Sequence, residues 1–239
     1  MTPFPSLEKA TFKKRYKRFF ADIETSKGPL TIHVPNTGSM KGCLEEGADC
    51  LYTPTDDPKR KLKGTLQFLK TKESWVGVNT SLPNQLVKDF WESGQKETWK
   101  KFSFAKLEHK INAQTRLDMV MAPTESDFKE RKNLHFVEVK NVTMAENGVA
   151  LFPDAVTTRG QKHLEELMGL ASQGFGAEIF FVVQRTDCMS FSPCEEIDPT
   201  YAKLLKEAQD SGVNLSAYPC WIDEKKGVGI ANSPLKILI

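Results

Sequence analysis

Apolar and polar positions change places at short intervals through the first third of the chain. Runs near residues 18–24, 30–34, 49–53, 65–70 and 75–79 alternate, or are rich in β-branched and aromatic residues. That is the pattern of half-buried strands. Turn-forming residues separate them at Lys27-Gly28-Pro29, Asn36-Thr37-Gly38 and Asp56-Asp57-Pro58. Five short strands in about eighty residues predict a small β-barrel, of OB type or of the SH3-like type that gives a similar pattern.

The texture changes after Asn79-Thr80-Ser81-Leu82-Pro83. Asn84 is placed to cap a helix whose stripe is Leu86, Val87, Phe90 and Trp91 and which ends at Gly94. Strands are expected at 104–111, 116–121 and 134–140, then a long loop over 141–158 and a helix over 159–172. The run 177–184 is apolar throughout, as a strand buried on both faces would be. A helix over 199–211 and a strand over 213–218 complete the series. The prediction is an α+β chain: a five-stranded barrel over 1–82, then a mixed sheet flanked by helices over 83–239.

The candidate chemistry lies on two of these strands. In Phe136-Val137-Glu138-Val139-Lys140, alternation sends Glu138 and Lys140 to one side while Val137 and Val139 pack on the other. In Arg116-Leu117-Asp118-Met119-Val120-Met121, Asp118 stands opposite Leu117, Met119 and Met121. Adjacent strands would bring two carboxylates and an ammonium together. Phosphodiester hydrolysis uses such a set. Two carboxylates, Asp118 and Glu138, hold Mg²⁺ or Mn²⁺, and the backbone carbonyl of Val139 is available to complete the inner shell. Lys140 would orient water or offset charge on phosphorus. Glu-x-Lys spacing alone carries little weight, since it recurs at Glu108/Lys110, Glu130/Lys132 and Glu224/Lys226. There it describes surface ion pairs worth about 0–1 kcal/mol. Glu138 differs in its apolar strand, in the acidic strand before it, and in the polar helix start Arg159-Gly160-Gln161-Lys162-His163 that follows.

Charge sharpens the picture only when the chain is divided. The net charge of +2 is uninformative, but residues 1–80 hold 14 Lys and Arg against 9 Asp and Glu, and the rest carries a small negative excess. Much of the surplus is one run, Lys13, Lys14, Arg15, Lys17 and Arg18, interleaved with Tyr16, Phe19 and Phe20. Cations beside rings suit a polyanion with stackable bases, single- or double-stranded DNA; a solvated edge strand would look the same. Hydrophobic residues at 39% and charged residues at 27% exclude fibrous and disordered classes. The longest aliphatic and aromatic run, Ile179-Phe180-Phe181-Val182-Val183, is too short for a membrane span. The first residues lack an apolar leader, so a cytoplasmic location is expected. Five cysteines without a CxxC pair predict reduced, partly buried thiols, not a disulfide framework or zinc site.

Several runs together resemble the sugar fermentation stimulation protein A family of bacteria and archaea. They are Arg15-Tyr16-Lys17-Arg18-Phe19, Pro35-Asn36-Thr37-Gly38-Ser39-Met40, Trp75-Val76-Gly77-Val78-Asn79-Thr80, Val137-Glu138-Val139-Lys140, Phe152-Pro153-Asp154-Ala155-Val156 and Arg159-Gly160-Gln161-Lys162-His163-Leu164. The resemblance implies an OB-like domain joined to a restriction-endonuclease-like domain of the PD-(D/E)xK type. It also implies DNA binding of weak sequence preference and a link to regulation of sugar, particularly maltose, utilisation. An active Mg²⁺- or Mn²⁺-dependent endonuclease or exonuclease is the alternative, and a co-regulator working through a protein partner is a third. On this resemblance Asp118 is the first acidic position, although Leu117 stands where the motif name has proline. Glu138 and Lys140 form the ExK. Gln161 or Lys162 is the helix-borne polar group, Gln161 for the catalytic set and Lys162 for contact with nucleic acid.

Other positions keep two explanations. The turn 35–40 either touches phosphate or closes the barrel through Gly38. Asp154 and Arg159 reach the site or pair with each other. His163 is a general base or a polar contact at the helix start. Trp75, Trp91 and Trp99 are expected in packing.

Overall fold

A computed structural model describes residues 6–72, 74–112 and 115–239. The barrel is built from β1 (Glu8–Tyr16), β2 (Phe20–Thr25), β3 (Gly28–His33), β4 (Asp49–Pro54) and β5 (Gly64–Lys70), with the short β6 (Trp75–Gly77) beside β5. Their order is β3-β2-β1-β4-β5-β6, and the parallel contact His33↔Thr65 between β3 and β5 closes β1–β5 on themselves. The five-stranded closed barrel is therefore present, but its first strand is β1, and the expected strand near 75–79 is a flank. Ala10 and Phe12 of β1 point into a core with Ile23, Ile32, Val34, Met40, Leu66 and Leu69. Cys43 and Cys50 lie in the same core, fully buried, and desolvation pushes their thiols up to about 11 and about 12.

The rest of the chain opens with α1 (Pro83–Glu92), a 3₁₀ turn (Glu97–Trp99), β7 (Phe104–Lys110), β8 (Arg116–Ala122), α2 (Glu125–Lys129) and β9 (His135–Val142). It continues with β10 (Met144–Glu146), β11 (Val149–Phe152), α3 (Thr158–Ser172), β12 (Gly176–Val183) and β13 (Ser190–Pro193). Then come α4 (Pro199–Asp210), β14 (Asn214–Asp223), β15 (Gly227–Ile230) and β16 (Lys236–Ile237). The main sheet runs β15-β14-β12-β9-β8-β7, parallel across β14, β12 and β9 and antiparallel at both edges. It is mixed, and β12 is central and buried on both faces, as its unbroken apolar run requires.

Each face has its own core. Leu86, Val87 and Phe90 of α1 cover Val137, Val139, Phe180 and Val182, and Leu51 and Phe68 of the barrel join the same cluster. Leu164, Leu167 and Leu170 of α3, with Tyr201 and Leu205 of α4, cover Phe136, Ile179 and Phe181 on the other face. No helix among the described residues is long and apolar enough to cross a membrane.

Two local expectations need correcting. Helix α1 starts at Pro83 with Leu82 as its N-cap; leucine has no acceptor to make a side-chain cap bond, and proline at N1 removes one of the unsatisfied N–H groups. Asn84 is thus inside the first turn, and its amide is available for something else. The segment 141–158 is not one loop either. It holds the hairpin β10/β11, turned by Asn147 and Gly148 at φ 50° and 76°. Strand β11 then joins β13 and β16 in a small second sheet.

The barrel and the sheet meet through buried polar contacts. Gln184, just past β12, is fully buried; its amide donates to Asn141 Oδ1 at 2.6 Å and Asn79 O at 3.3 Å. Its backbone carbonyl accepts from Gly77 N–H at 2.8 Å. A Cβ at Gly77 would lie 2.2 Å from Gln184 Oε1, so this approach requires glycine. Beside the junction is an open cleft of about 230 Å³ lined by Asn36, Thr80, Asn141 and Asp154 among others.

Candidate functional site

The antiparallel pairing of β8 with β9 runs from Met121↔His135 to Met119↔Val137 and stops there. One residue further along, the Asp118 side chain takes over. Its Oδ2 accepts the N–H of Val139 at 2.8 Å, while its Oδ1 accepts from Asn84 Nδ2 at 2.8 Å. Where the two strands part, the carboxylates of Asp118 and Glu138 are left as neighbours. Burial raises the Asp118 pKa to about 6, and the charge of Glu138 pushes the same way.

Glu138 is 3% exposed. Its Oε1 is bonded to Lys140 Nζ at 2.6 Å and to His163 Nδ1 from the first turns of α3. Burial alone would raise its pKa, but the His163 bond and the Lys140 charge outweigh it and hold the carboxyl below its ordinary value. The imidazole has a defined orientation. Arg159 Nε donates to His163 Nε2 at 3.4 Å, which places the ring proton on Nδ1, facing Glu138. Both of its nitrogens are engaged, Nδ1 with Glu138 Oε1 and with Lys140 Nζ at 3.1 Å, so that the ring holds Glu138 in place. The other carboxylate oxygen, Glu138 Oε2, is buried and has no hydrogen-bond partner.

That orphan atom is the site's most informative feature. A buried acceptor without a donor is costly, and a carboxylate pair facing one space is satisfied by a hard cation. Asp118 and Glu138 fit such an ion with oxygen donors alone. No cluster of three or more His, Cys, Asp and Glu side chains is found among the described residues. The remaining ligands would come from backbone, water and substrate, the usual arrangement for Mg²⁺.

The other expected residues are placed as follows. Gln161 is one turn into α3, but its amide donates to both carboxylate oxygens of Asp198, at 2.9 and 3.1 Å, where Asp198 caps α4. It serves to join the two helices. Lys162 is exposed on α3, beside Glu165, Glu166 and Arg131. Asp154 and Arg159 do not pair. Asp154 Oδ2 accepts from Ser39 Oγ at 2.9 Å and from Met40 N–H at 3.3 Å, fastening the 35–40 turn to the α3 side, while Arg159 reaches His163. Trp99 is buried and donates to Glu178, and Trp91 donates to Phe102 O.

The basic run divides by role. Lys13, Lys14 and Arg15 lie in β1, and Lys17 and Arg18 form the β1–β2 turn. Arg15 turns inward: Nη2 bonds Asn36 O at 2.7 Å, Nη1 bonds Gly38 O at 3.0 Å, and Nε bonds Arg18 O at 3.0 Å. Its guanidinium braces the 35–40 turn, whereas Lys13, Lys14, Lys17 and Arg18 are exposed. Sequence reasoning missed Asn84 as a partner of Asp118 and Arg15 as a brace. The Pro-Asn helix start was the signal for the first; nothing in the sequence marked the second.

The chain is similar to known proteins over nearly all its length. A family model described as the SfsA N-terminal OB domain matches residues 14–78, and one described as the sugar fermentation stimulation protein RE domain matches residues 81–226. A sugar fermentation stimulation protein homolog of Bdellovibrio bacteriovorus is 50% identical over 222 residues, covering 89% of each chain. One from Geotalea uraniireducens is 44% identical over 217 residues, covering 90% of each. Among solved structures, Pyrococcus furiosus SfsA in complex with Ca²⁺ superposes with a TM-score of 0.87 at 24% identity, covering 100% of this chain and 98% of that one. At that identity the likeness is one of fold.

Proposed function

The chain belongs to the sugar fermentation stimulation protein family, and from that premise we propose that it binds DNA with little sequence preference and hydrolyses phosphodiester bonds at Asp118, Glu138 and Lys140, with Mg²⁺ or Mn²⁺. The observation that carries the proposal is Glu138 Oε2, buried and unpartnered beside the Asp118 carboxylate. The Ca²⁺ of the Pyrococcus furiosus protein supports a divalent-cation site in a chain of the same fold.

When bound, the cation would polarise the phosphate and lower the pKa of an attacking water. Asp118 and Glu138 would hold it, with the Val139 carbonyl as a further donor. Lys140, already bonded to Glu138, would carry positive charge toward the phosphoryl oxygens. His163 and Arg159 would fix Glu138 so that Oε2 stays aimed at the ion. Lys13, Lys14, Lys17 and Arg18 on the barrel, with Lys162 on α3, would meet phosphates without reading bases. Five free, buried cysteines suit a reducing cytoplasm.

The test is incubation of the purified protein with plasmid and with single-stranded DNA, with Mn²⁺ or Mg²⁺ and with chelator, beside Asp118→Ala and Glu138→Ala. Metal-dependent cutting by the wild type alone is expected. Equal cutting by all three proteins would assign the activity to a contaminant. No cutting, with salt-dependent binding retained, would favour a regulator that binds DNA without turnover.

A further inference from the structure

Among the described residues, one aromatic side chain stands exposed. Phe19 is 47% accessible at the tip of the β1–β2 hairpin, while its neighbours Tyr16 and Phe20 stack on each other at 5.5 Å and 14°. The fold gains nothing from leaving this ring in water. The tip is nevertheless held in shape. Lys17 and Arg18 take left-handed φ values of 46° and 62°, which such turns normally reserve for Asn and Gly. Arg15 ties the carbonyl of Arg18 to those of Asn36 and Gly38, and Val34 N–H donates to Phe19 O at 2.8 Å.

The charged residues of the turn are cationic, and Asp22 on β2 is already paired with Lys14 and bonded by the Tyr16 hydroxyl. Lys17 and Arg18 flank the ring and Lys13 lies in the adjoining strand, and none of the three has a carboxylate partner among the described residues. Burial lowers the pKa of Arg15, and the nearby Arg18 charge pushes the same way. Phe19 thus stands among cations and not in an apolar patch of the kind that binds protein. A flat apolar face ringed by free positive charge matches a nucleotide whose base is out of its stack.

We infer that Phe19 is a stacking platform for an unpaired nucleobase, with Lys17 and Arg18 on the flanking phosphates. The preferred ligand of the barrel is therefore a single strand, or a duplex at a gap, end or unpaired position. This deepens the nucleic-acid reading above and rests on it.

The experiment measures binding in chelator, so it does not depend on cleavage. Wild type, Phe19→Leu and Phe19→Trp are titrated onto a single-stranded oligonucleotide, a fully paired duplex, and a duplex with one unpaired 2-aminopurine. Phe19→Leu keeps the apolar bulk and removes the π face, and matched melting curves confirm that each variant is folded. The expected result is about ten-fold weaker binding of the single strand and the unpaired duplex by Phe19→Leu. Paired-duplex affinity should hold, Phe19→Trp should restore binding, and 2-aminopurine quenching should be lost only in the leucine variant. Unchanged binding by Phe19→Leu, or an equal loss on paired and unpaired DNA, would overturn the stacking role alone. A wild type that binds no nucleic acid at low salt would overturn this inference and the DNA-binding reading together.

Discussion

His163 Nδ1 and Lys140 Nζ both bond to Oε1 of Glu138 and leave Oε2 of the same carboxylate buried without a partner. The asymmetry assigns different work to the two oxygens. One is anchored by protein, and the other is the atom the proposed ion would take. Glu138→Gln should abolish Mn²⁺ binding in calorimetry and lower cleavage by at least about a hundred-fold. His163→Ala should leave the ligand in place but loosen it, weakening Mn²⁺ by about 10–100-fold. If His163→Ala bound Mn²⁺ as the wild type does, the anchoring role would be wrong.

Asp118 makes a separate prediction about pH. Its unfolded carboxyl titrates at 3.8 and its folded one at about 6, raised by burial and then by Glu138. Between those values the folded state holds the extra proton, so stability contributed through Asp118 falls as pH rises across that window. The loss is on the order of 3 kcal/mol by pH 7. Glu138, held below 4.5, acts in the opposite sense, stabilising above that value and failing as pH drops. Melting in chelator should therefore show the wild type losing ground to Asp118→Asn from about pH 4 to pH 7. Parallel pH profiles for the two proteins would contradict this.

The basic run should separate under mutation into a brace and a grip. Arg15→Lys forfeits a planar fork that spans three backbone carbonyls and should lower stability by about 1–3 kcal/mol in denaturant titrations. Replacing Lys13, Lys17 and Arg18 by Gln together should leave the melt unchanged. The slope of log K against log salt for duplex DNA should then shrink by up to about 2.7, at about 0.9 per lost phosphate contact. An unchanged slope would remove these residues from the interface.

Gly77→Ala probes the junction between barrel and sheet. Its methyl would overlap Gln184, whose amide is already committed to Asn141 and Asn79. The expected cost is about 1–3 kcal/mol, measured by chemical denaturation.

The sequence made the central chemistry legible because strand alternation is a local rule. Alternation set Glu138 and Lys140 on one face of β9, but it breaks at the start of β8, where Leu117 packs with Phe136 while Met119 and Met121 pack on the other face. Strand β1 was harder to see because its alternation, Ala10 and Phe12 in, Lys9 and Thr11 out, runs directly into a charge block that also reads as a basic patch. The β10/β11 hairpin carried an Asn-Gly signal at 147–148 that the length of the surrounding segment obscured. Gln161 illustrates a limit of another kind. Nothing local tells an amide on α3 that Asp198, 37 residues on, will accept from it. Arg15 is similar, since its partners are carbonyls whose direction only the folded turn defines.

The clasp of Asp154 on Ser39 and Met40 has a geometric outcome. It links the barrel turn braced by Arg15 to the segment that leads, through Thr157, into the helix carrying His163. The hairpin tip is thereby tied, through the 35–40 turn, to the segment that enters the helix beside the acidic pair. If the proposed site cuts DNA held at the hairpin, the cuts should fall at a constant offset from the protein's footprint whatever the base sequence between.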